Sequence, residues 1–111
     1  MAIKANFTID QGTDFVASID VIQDDGVSVF DLTGYSVAAQ MRKNYASTSA
    51  VTFISTHTAE GGQIILSLPS STTVDIEPGR YLYDVEITSD QGAITRVVEG
   101  VATVTPGITR I

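Results

Sequence analysis

The sequence predicts an all-β protein, an antiparallel β-sandwich of about seven short strands. Three observations predict it. Val (12), Ile (12) and Thr (14) far outnumber Leu (4), and β-branched side chains suit a pleated sheet better than a helix. Apolar and polar residues alternate over several segments, which is the period of a half-buried strand. Turn residues such as Gly, Pro, Asp and Asn separate these segments at the spacing typical of a sandwich or barrel.

The first half of the chain contains four candidate strands, at residues 6–10, 14–22, 27–32 and 35–43. The last of them shows the pattern best, since one face carries Tyr35, Val37, Ala39 and Met41. Asp24-Asp25-Gly26 and Thr33-Gly34 mark turns, because Gly adopts positive φ without steric cost and Asp tolerates it.

The second half contains candidate strands at residues 51–56, 63–68, 80–88 and 93–105, with room for one helical turn within 69–78. In the segment 80–88 the inward positions are Tyr81, Tyr83, Val85 and Ile87. Pro106 ends the last strand because proline donates no backbone hydrogen bond. We therefore expect one domain over residues 1–111, with short terminal arms at Met1–Asn6 and Pro106–Ile111.

The last candidate strand does not fit a single alternation. The even-numbered positions, which share one face of a regular strand, carry the apolar Ile94, Val98, Ala102 and Val104, but also Arg96 and Gly100. The odd-numbered positions carry the apolar Val97 and Val101, but also Glu99. Burying every apolar residue would therefore bury a charge, which is costly. Either a bulge at Gly100 shifts the parity, or a neighbouring chain covers the second face. The second alternative predicts an assembly interface.

Composition excludes several kinds of function. The formal charge of −7 disfavours binding to a phosphate backbone, and the chain has no Cys for thiolate sites or disulfides. The single His57 is interpreted as an exposed loop residue, and the pair Asp84 and Glu86 as a solvated outer face. We therefore expect no catalytic residues, no metal, no cofactor and no enzyme activity. No segment has the run of apolar residues that a membrane helix or a secretory signal requires.

One motif indicates the kind of sandwich. The segment Glu77-Pro78-Gly79-Arg80-Tyr81-Leu82-Tyr83 resembles the tyrosine corner of immunoglobulin-like domains, with Glu77, Gly79 and Tyr81 at the corner. In that corner the tyrosine hydroxyl bonds to backbone upstream. Tyr83 stands where an antibody domain has its second disulfide cysteine, so the resemblance implies an immunoglobulin-like sandwich without the disulfide.

A wider resemblance covers nearly the whole chain. It is carried by Gln11-Gly12-Thr13-Asp14-Phe15, Asp31-Leu32-Thr33-Gly34-Tyr35, Ala39-Gln40-Met41-Arg42-Lys43, Gly79 to Ile87, Arg96-Val97-Val98-Glu99-Gly100 and Val104-Thr105-Pro106. This series is similar to the small immunoglobulin-like virion proteins of tailed bacteriophages, notably those of cyanobacterial viruses. It is also similar to the N-terminal domain of some phage upper-baseplate proteins.

The resemblance implies a non-enzymatic structural protein of the virion, assembled in the host cytoplasm and placed on the head, neck, tail or baseplate. The implied partners are other virion proteins and further copies of the chain, with neither nucleic acid nor membrane. The candidate assembly residues are Ile3, Val97, Val101, Ile108 and Ile111, because apolar residues in terminal arms or on a second strand face suit docking. The alternatives are a host-surface or glycan-binding module on the tail and a secreted host adhesion domain.

Overall fold

The structure of the chain is a computed structural model that describes residues 3–21, 31–44, 50–58 and 62–108. These residues form nine strands and one helix of four residues. The strands are β1 (Ile3–Lys4), β2 (Phe7–Asp10), β3 (Phe15–Asp20), β4 (Ser36–Arg42), β5 (Val51–Thr52), β6 (Ile54–Thr58), β7 (Gln63–Leu68), β8 (Gly79–Thr88) and β9 (Ile94–Thr105), and the helix α1 is Ser70–Thr73.

The strands form two sheets packed face to face, so the predicted all-β sandwich is confirmed. The larger sheet has the order β1-β9-β8-β4-β5, and β2 also pairs with β9. The pairs that β1 and β2 make with β9 are parallel, and the others in this sheet are antiparallel. The smaller sheet has the antiparallel order β3-β7-β6.

The chain changes sheets at Phe53. Residues 51–52 pair with β4 in the larger sheet, and residues 54–58 pair with β7 in the smaller one. Phe53 lies between them with its side chain buried, and its backbone N–H donates to the carbonyl of Ala39 at 3.0 Å. The sequence predicts one strand over 51–56, and it misses this break because Phe53 continues the apolar pattern.

The core lies between the sheets and is filled mainly by branched aliphatic side chains. Alternation is regular in β7 and β8, where every second residue is buried. Four aromatic rings pack together at one end of this core, with ring centroids 4.4 to 6.4 Å apart, namely Phe7, Phe15, Phe53 and Tyr83. Such ring pairs stabilise a core beyond the area that they bury.

Strand β9 contains the expected bulge, but not at Gly100. The register between β8 and β9 shifts between Val85, which lies opposite Val98, and Glu86, which lies opposite Arg96. Val97 is therefore the extra residue, and consecutive Val97 and Val98 are both buried. A bulge turns two neighbouring side chains toward one face, which resolves the conflict in the sequence pattern.

Gly100 has a different role. A Cβ at this position would overlap the carbonyl oxygen of Ala5, where the chain passes between β1 and β2. The hydroxyl of Tyr83, the residue opposite Gly100, donates to the same carbonyl at 2.6 Å. Glycine is required here because the backbone of another strand approaches too closely for a side chain.

Candidate assembly surface

A groove of about 540 Å³ runs across the outer face of the larger sheet. Its floor contains Leu82 of β8 and Val101 of β9, which lie directly opposite each other and are half-buried. Its rim is polar and includes Lys4, Asn6, Gln40, Arg42, Asp84 and Glu99. An apolar centre inside a polar rim is the usual composition of a protein interface.

Three charged side chains form a network beside this floor. Asp84 and Glu99 lie opposite each other on neighbouring strands, an arrangement that is destabilising for two carboxylates alone. Arg96 bridges them, with Nε 3.1 Å from Asp84 Oδ2 and Nη1 3.2 Å from Glu99 Oε2. The charge of Asp84, more than that of Glu99, raises the pKa of the Arg96 guanidinium.

The bulge at Val97 places Arg96 in this network. In a regular strand, residues three apart point to opposite faces. The extra residue reverses that relation, so Arg96 and Glu99 share the outer face. One backbone irregularity therefore fills the core with two valines and completes the charged rim of the groove.

The structure separates the five candidate assembly residues. Val101 lies in the groove. Val97 is only 1% exposed and belongs to the core, so its assignment to an interface is wrong. Ile3 is 38% exposed and Ile108 is 94% exposed. Ile111 lies outside the described residues.

The predicted N-terminal arm is not an arm over its described part. Ile3–Lys4 forms β1 and pairs with Val98 and Glu99. The N–H of Ala5 donates to the carbonyl of Glu99 at 3.1 Å, and Asn6 Oδ1 accepts from the N–H of Val101 at 2.9 Å. Ile3 therefore lies at the rim of the molecule's own sheet and is not part of a free arm.

The described part of the C-terminal arm is held only at its start. The N–H of Gly107 donates to Gln11 Oε1 at 3.1 Å. Ile108, the next residue, is almost fully exposed. A large apolar side chain in this position remains a candidate for docking.

The corner motif has the hydrogen bond that defines it. The hydroxyl of Tyr81 donates to the carbonyl of Glu77 at 2.7 Å. Burial raises the pKa of the Tyr81 phenol, and the negative charge of Glu77 adds a smaller increase. Gly79 has φ of +147°, which disfavours any other residue there. Lys43 Nζ lies 4.8 Å from the centre of the Tyr81 ring, within range of a cation–π contact.

His57 lies on β6 and not in a loop, but its side chain is exposed as expected. No three metal-ligating side chains converge within residues 3–21, 31–44, 50–58 and 62–108. In the same part of the chain, no helix has the length and apolar character to cross a membrane.

The groove is not evident from the sequence, although one residue indicates it. Leu82 alternates with Arg80 and Asp84 along the strand, so it is an apolar residue on a strand face that is otherwise polar. Its position opposite Val101 depends on the register of β9, which the bulge at Val97 shifts. Without the location of that bulge, the two floor residues cannot be paired.

Comparison with known proteins gives the fold and nothing finer. No protein-family model matches the chain, and no curated protein matches it. An internalin-like protein of Listeria monocytogenes matches with a TM-score of 0.51 at 19% identity, over 94% of this chain and 28% of that one. A family 123 glycoside hydrolase from Clostridium perfringens matches with a TM-score of 0.44 at 12% identity, over 97% of this chain and 24% of the hydrolase. The chain thus spans a small part of these larger proteins, and the likeness to the first supports the all-β sandwich.

Proposed function

We propose that this chain is a non-enzymatic structural protein of a tailed-phage virion and acts by protein–protein assembly. The observation that carries the proposal is the groove, because its apolar floor of Leu82 and Val101 faces solvent at the centre of the larger sheet. The resemblance to immunoglobulin-like virion proteins supports the same role.

The groove suits a polypeptide better than a sugar. Sugar-binding surfaces commonly present an exposed aromatic ring for stacking. Among the described residues that line this groove, the one aromatic ring belongs to Tyr83, which is only 4% exposed and directed into the core. A partner side chain placed on Leu82 and Val101 would instead bury apolar surface at the centre of the contact, where interface energy is concentrated.

The charges of the rim give the contact specificity. Arg96 holds Asp84 and Glu99 in fixed positions. Charges around an apolar centre disfavour partners whose charges do not match, because like charges brought together at an interface repel each other. The network therefore selects a partner while the floor supplies the affinity.

Substitution on the groove floor tests the proposal. Val101→Asp is compared with Thr103→Asp, which lies on the same face of β9 but outside the residues that line the groove. With both variants folded by circular dichroism, V101D is expected to lower incorporation into virions by about tenfold or more, and T103D to leave it near wild type. Equal incorporation of V101D and wild type contradicts a role for the groove.

Fractionation and a glycan array test the virion role itself. We expect mass spectrometry to find the chain in purified virions, in the head or the tail fraction. Absence from both fractions contradicts the proposal. On a glycan array the isolated chain is expected to bind nothing, and selective binding of one glycan would favour the host-recognition alternative.

A further inference from the structure

The outer face of the smaller sheet carries a cluster of apolar side chains. Each of its three strands contributes one apolar residue to a face that is otherwise polar, namely Val16 on β3, Ile65 on β7 and Ile54 on β6. Val16 is 65% exposed and Ile54 is 55% exposed, and Ile65 is half-buried. Single apolar residues on a surface are common, but neighbouring ones within a polar rim indicate an interaction site.

The register of the sheet brings these three side chains together. Ser67 of β7 lies directly opposite Val16 on one side and Ile54 on the other. Ile65 is two residues from Ser67 on the same face, so it lies diagonal to both, about 7–8 Å away. Because serine is the smallest of the four, the two exposed side chains flank a shallow notch. We call Val16, Ile54, Ile65 and Ser67 the outer patch.

Two carboxylates flank the outer patch along β3. Asp14 lies two residues before Val16, about 7 Å along the strand direction, and Asp20 lies four residues after it, about 14 Å. Asp14 Oδ1 accepts from the N–H of Ser70 at 2.8 Å, which fixes that side chain at the start of α1. No Lys or Arg occurs in β3, β6 or β7. The patch itself is uncharged, and its flanks are acidic.

The basic side chains of the described residues are on the other sheet. They lie in its strands or, for one of them, directly after a strand: Lys4, Arg42, Lys43, Arg80 and Arg96. The whole chain has 13 acidic residues against 6 basic ones. Acidic flanks without a base are complementary to a basic partner. They disfavour the same face of a second copy, which would bring further carboxylates and no cation.

We propose that the outer patch binds a basic partner protein through one apolar side chain seated over Ser67, between Val16 and Ile54. A Lys or Arg on each side of that anchor is directed at Asp14 and Asp20. In an extended partner segment the anchor is then two residues from one base and four from the other, and all three side chains share a face. The outer patch and the groove lie on opposite faces of the sandwich, so the chain can connect two partners. The proposal does not depend on a role in a virion.

Two synthetic peptides test the proposal by NMR titration of the full chain. The first, Lys-Thr-Leu-Thr-Ser-Thr-Lys, has the anchor and the two bases at the proposed spacing, and the second has Glu in place of both Lys. We expect the basic peptide to shift the amide resonances of the outer patch and to bind at least about tenfold more tightly than the acidic one at low salt. No binding at millimolar peptide, equal binding of the two peptides, or shifts confined to the groove of the larger sheet would overturn the proposal.

Variants of the patch separate the apolar contact from attraction by charge alone. The double variant Val16→Thr with Ile54→Thr keeps side chains that are branched at Cβ and so suit a strand. With its fold intact by circular dichroism, V16T/I54T is expected to bind the basic peptide at least about threefold more weakly than wild type. The matched control is Val74→Thr, 53% exposed at the end of α1 and outside the patch, which should bind as wild type does. Equal affinities of the two variants would overturn the role of the patch.

The carboxylates and the choice of partner have their own tests. D14N/D20N retains an oxygen to accept from Ser70 and is expected to bring the affinities of the two peptides within about threefold of each other. An unchanged preference for the basic peptide would overturn the assignment of Asp14 and Asp20. In sedimentation equilibrium, self-association of the wild type that is absent from V16T/I54T would assign the patch to a second copy and overturn the basic partner.

Discussion

Arg96 and Glu99 are three residues apart in one strand, yet their side chains lie on the same face and form an ion pair with N and O 3.2 Å apart. The bulge at Val97 is the cause, because it inserts one residue between them. The guanidinium also reaches Asp84, so one cation holds two opposing carboxylates. The arrangement of the charged side chains at the groove rim therefore depends on Arg96.

Arg96→Gln is expected to lower the melting temperature at low salt, because Asp84 and Glu99 then face each other without a cation. Calorimetry at low salt and at about 1 M NaCl measures the effect, which should shrink at high salt as the repulsion is screened.

The matched control for this prediction is the double variant R96Q/E99Q. It removes one of the opposing carboxylates and is expected to recover part of the lost stability at low salt. A double variant less stable than R96Q alone would show that Arg96 contributes by packing and not through the carboxylate pair.

Gly100→Ala is expected to displace the N-terminal strands, since the added Cβ overlaps the carbonyl of Ala5. We expect a loss of about 1–3 kcal/mol in the free energy of unfolding. Hydrogen exchange should rise in residues 3–10. Gly92→Ala is the control, because nothing lies within 4 Å of a Cβ there and its cost comes only from the φ of +87° in the turn between β8 and β9. Exchange at residues 3–10 should not change in this variant. Unaltered exchange in G100A as well would mean that the N-terminal strands tolerate the methyl group.

Much of the fold could be predicted from the sequence because alternation is a local property. β7 was predicted with its observed bounds, and β8 and β9 to within one residue at their starts. The break at Phe53 was missed, since a change of sheet leaves no mark on an apolar pattern. Gly100 was misread because a glycine in a strand indicates either a bulge or a close backbone approach. Only the position of Ala5 in the fold distinguishes the two.

The candidate site was less predictable than the fold. The sequence assigns Val97 and Val101 to one assembly interface, but only Val101 lies on the outer face, whereas Val97 is buried in the core. In a strand without a bulge, residues 97 and 101 would lie on the same face. The bulge at Val97 turns this residue to the inner face instead. The contact of Arg96 with Asp84 depends on the same shift.

Tyr83 makes the stability of the sandwich sensitive to alkaline pH. Burial raises the pKa of its phenol from 10.0 to about 12. Because the folded-state pKa lies above the unfolded value, this contribution is complete below pH 10 and is lost as the pH rises through about 12. Linkage predicts a loss of up to about 2–3 kcal/mol across that window. Urea unfolding at several pH values measures it.

The control for the alkaline effect is Tyr83→Phe. This variant loses the bond to the carbonyl of Ala5, so its stability at neutral pH should fall by about 1 kcal/mol. Between pH 10 and 12, however, it should lose less than the wild type. Parallel curves for the two proteins would assign the alkaline loss to other groups.

Thr73 joins α1 to the turn between β2 and β3. Its fully buried hydroxyl accepts from the N–H of Gly12 at 3.1 Å and donates to the carbonyl of Thr13 at 2.7 Å. Thr73→Val is expected to cost about 1–3 kcal/mol, because it leaves buried polar groups unpaired. Thr73→Ser keeps the hydroxyl and should cost less, about 1 kcal/mol for the lost methyl group. Equal losses in denaturant unfolding would assign the effect to packing.

In-frame removal of residues 107–111 is expected to reduce incorporation into virions. The physical reason is that Ile108 is 94% exposed, and an apolar side chain so exposed gains free energy of about 1.5–3 kcal/mol if a neighbouring subunit buries it. The deletion also removes the bond from Gly107 to Gln11. Gln11→Ala is the matched control, because it breaks that bond, together with the bond from Gln11 Nε2 to the carbonyl of Ile76, and keeps Ile108. We expect the deletion to lower incorporation more than Q11A does, measured by quantitative mass spectrometry of purified particles. If Q11A lowers incorporation as much, the segment acts by closing the end of β9 and not by docking.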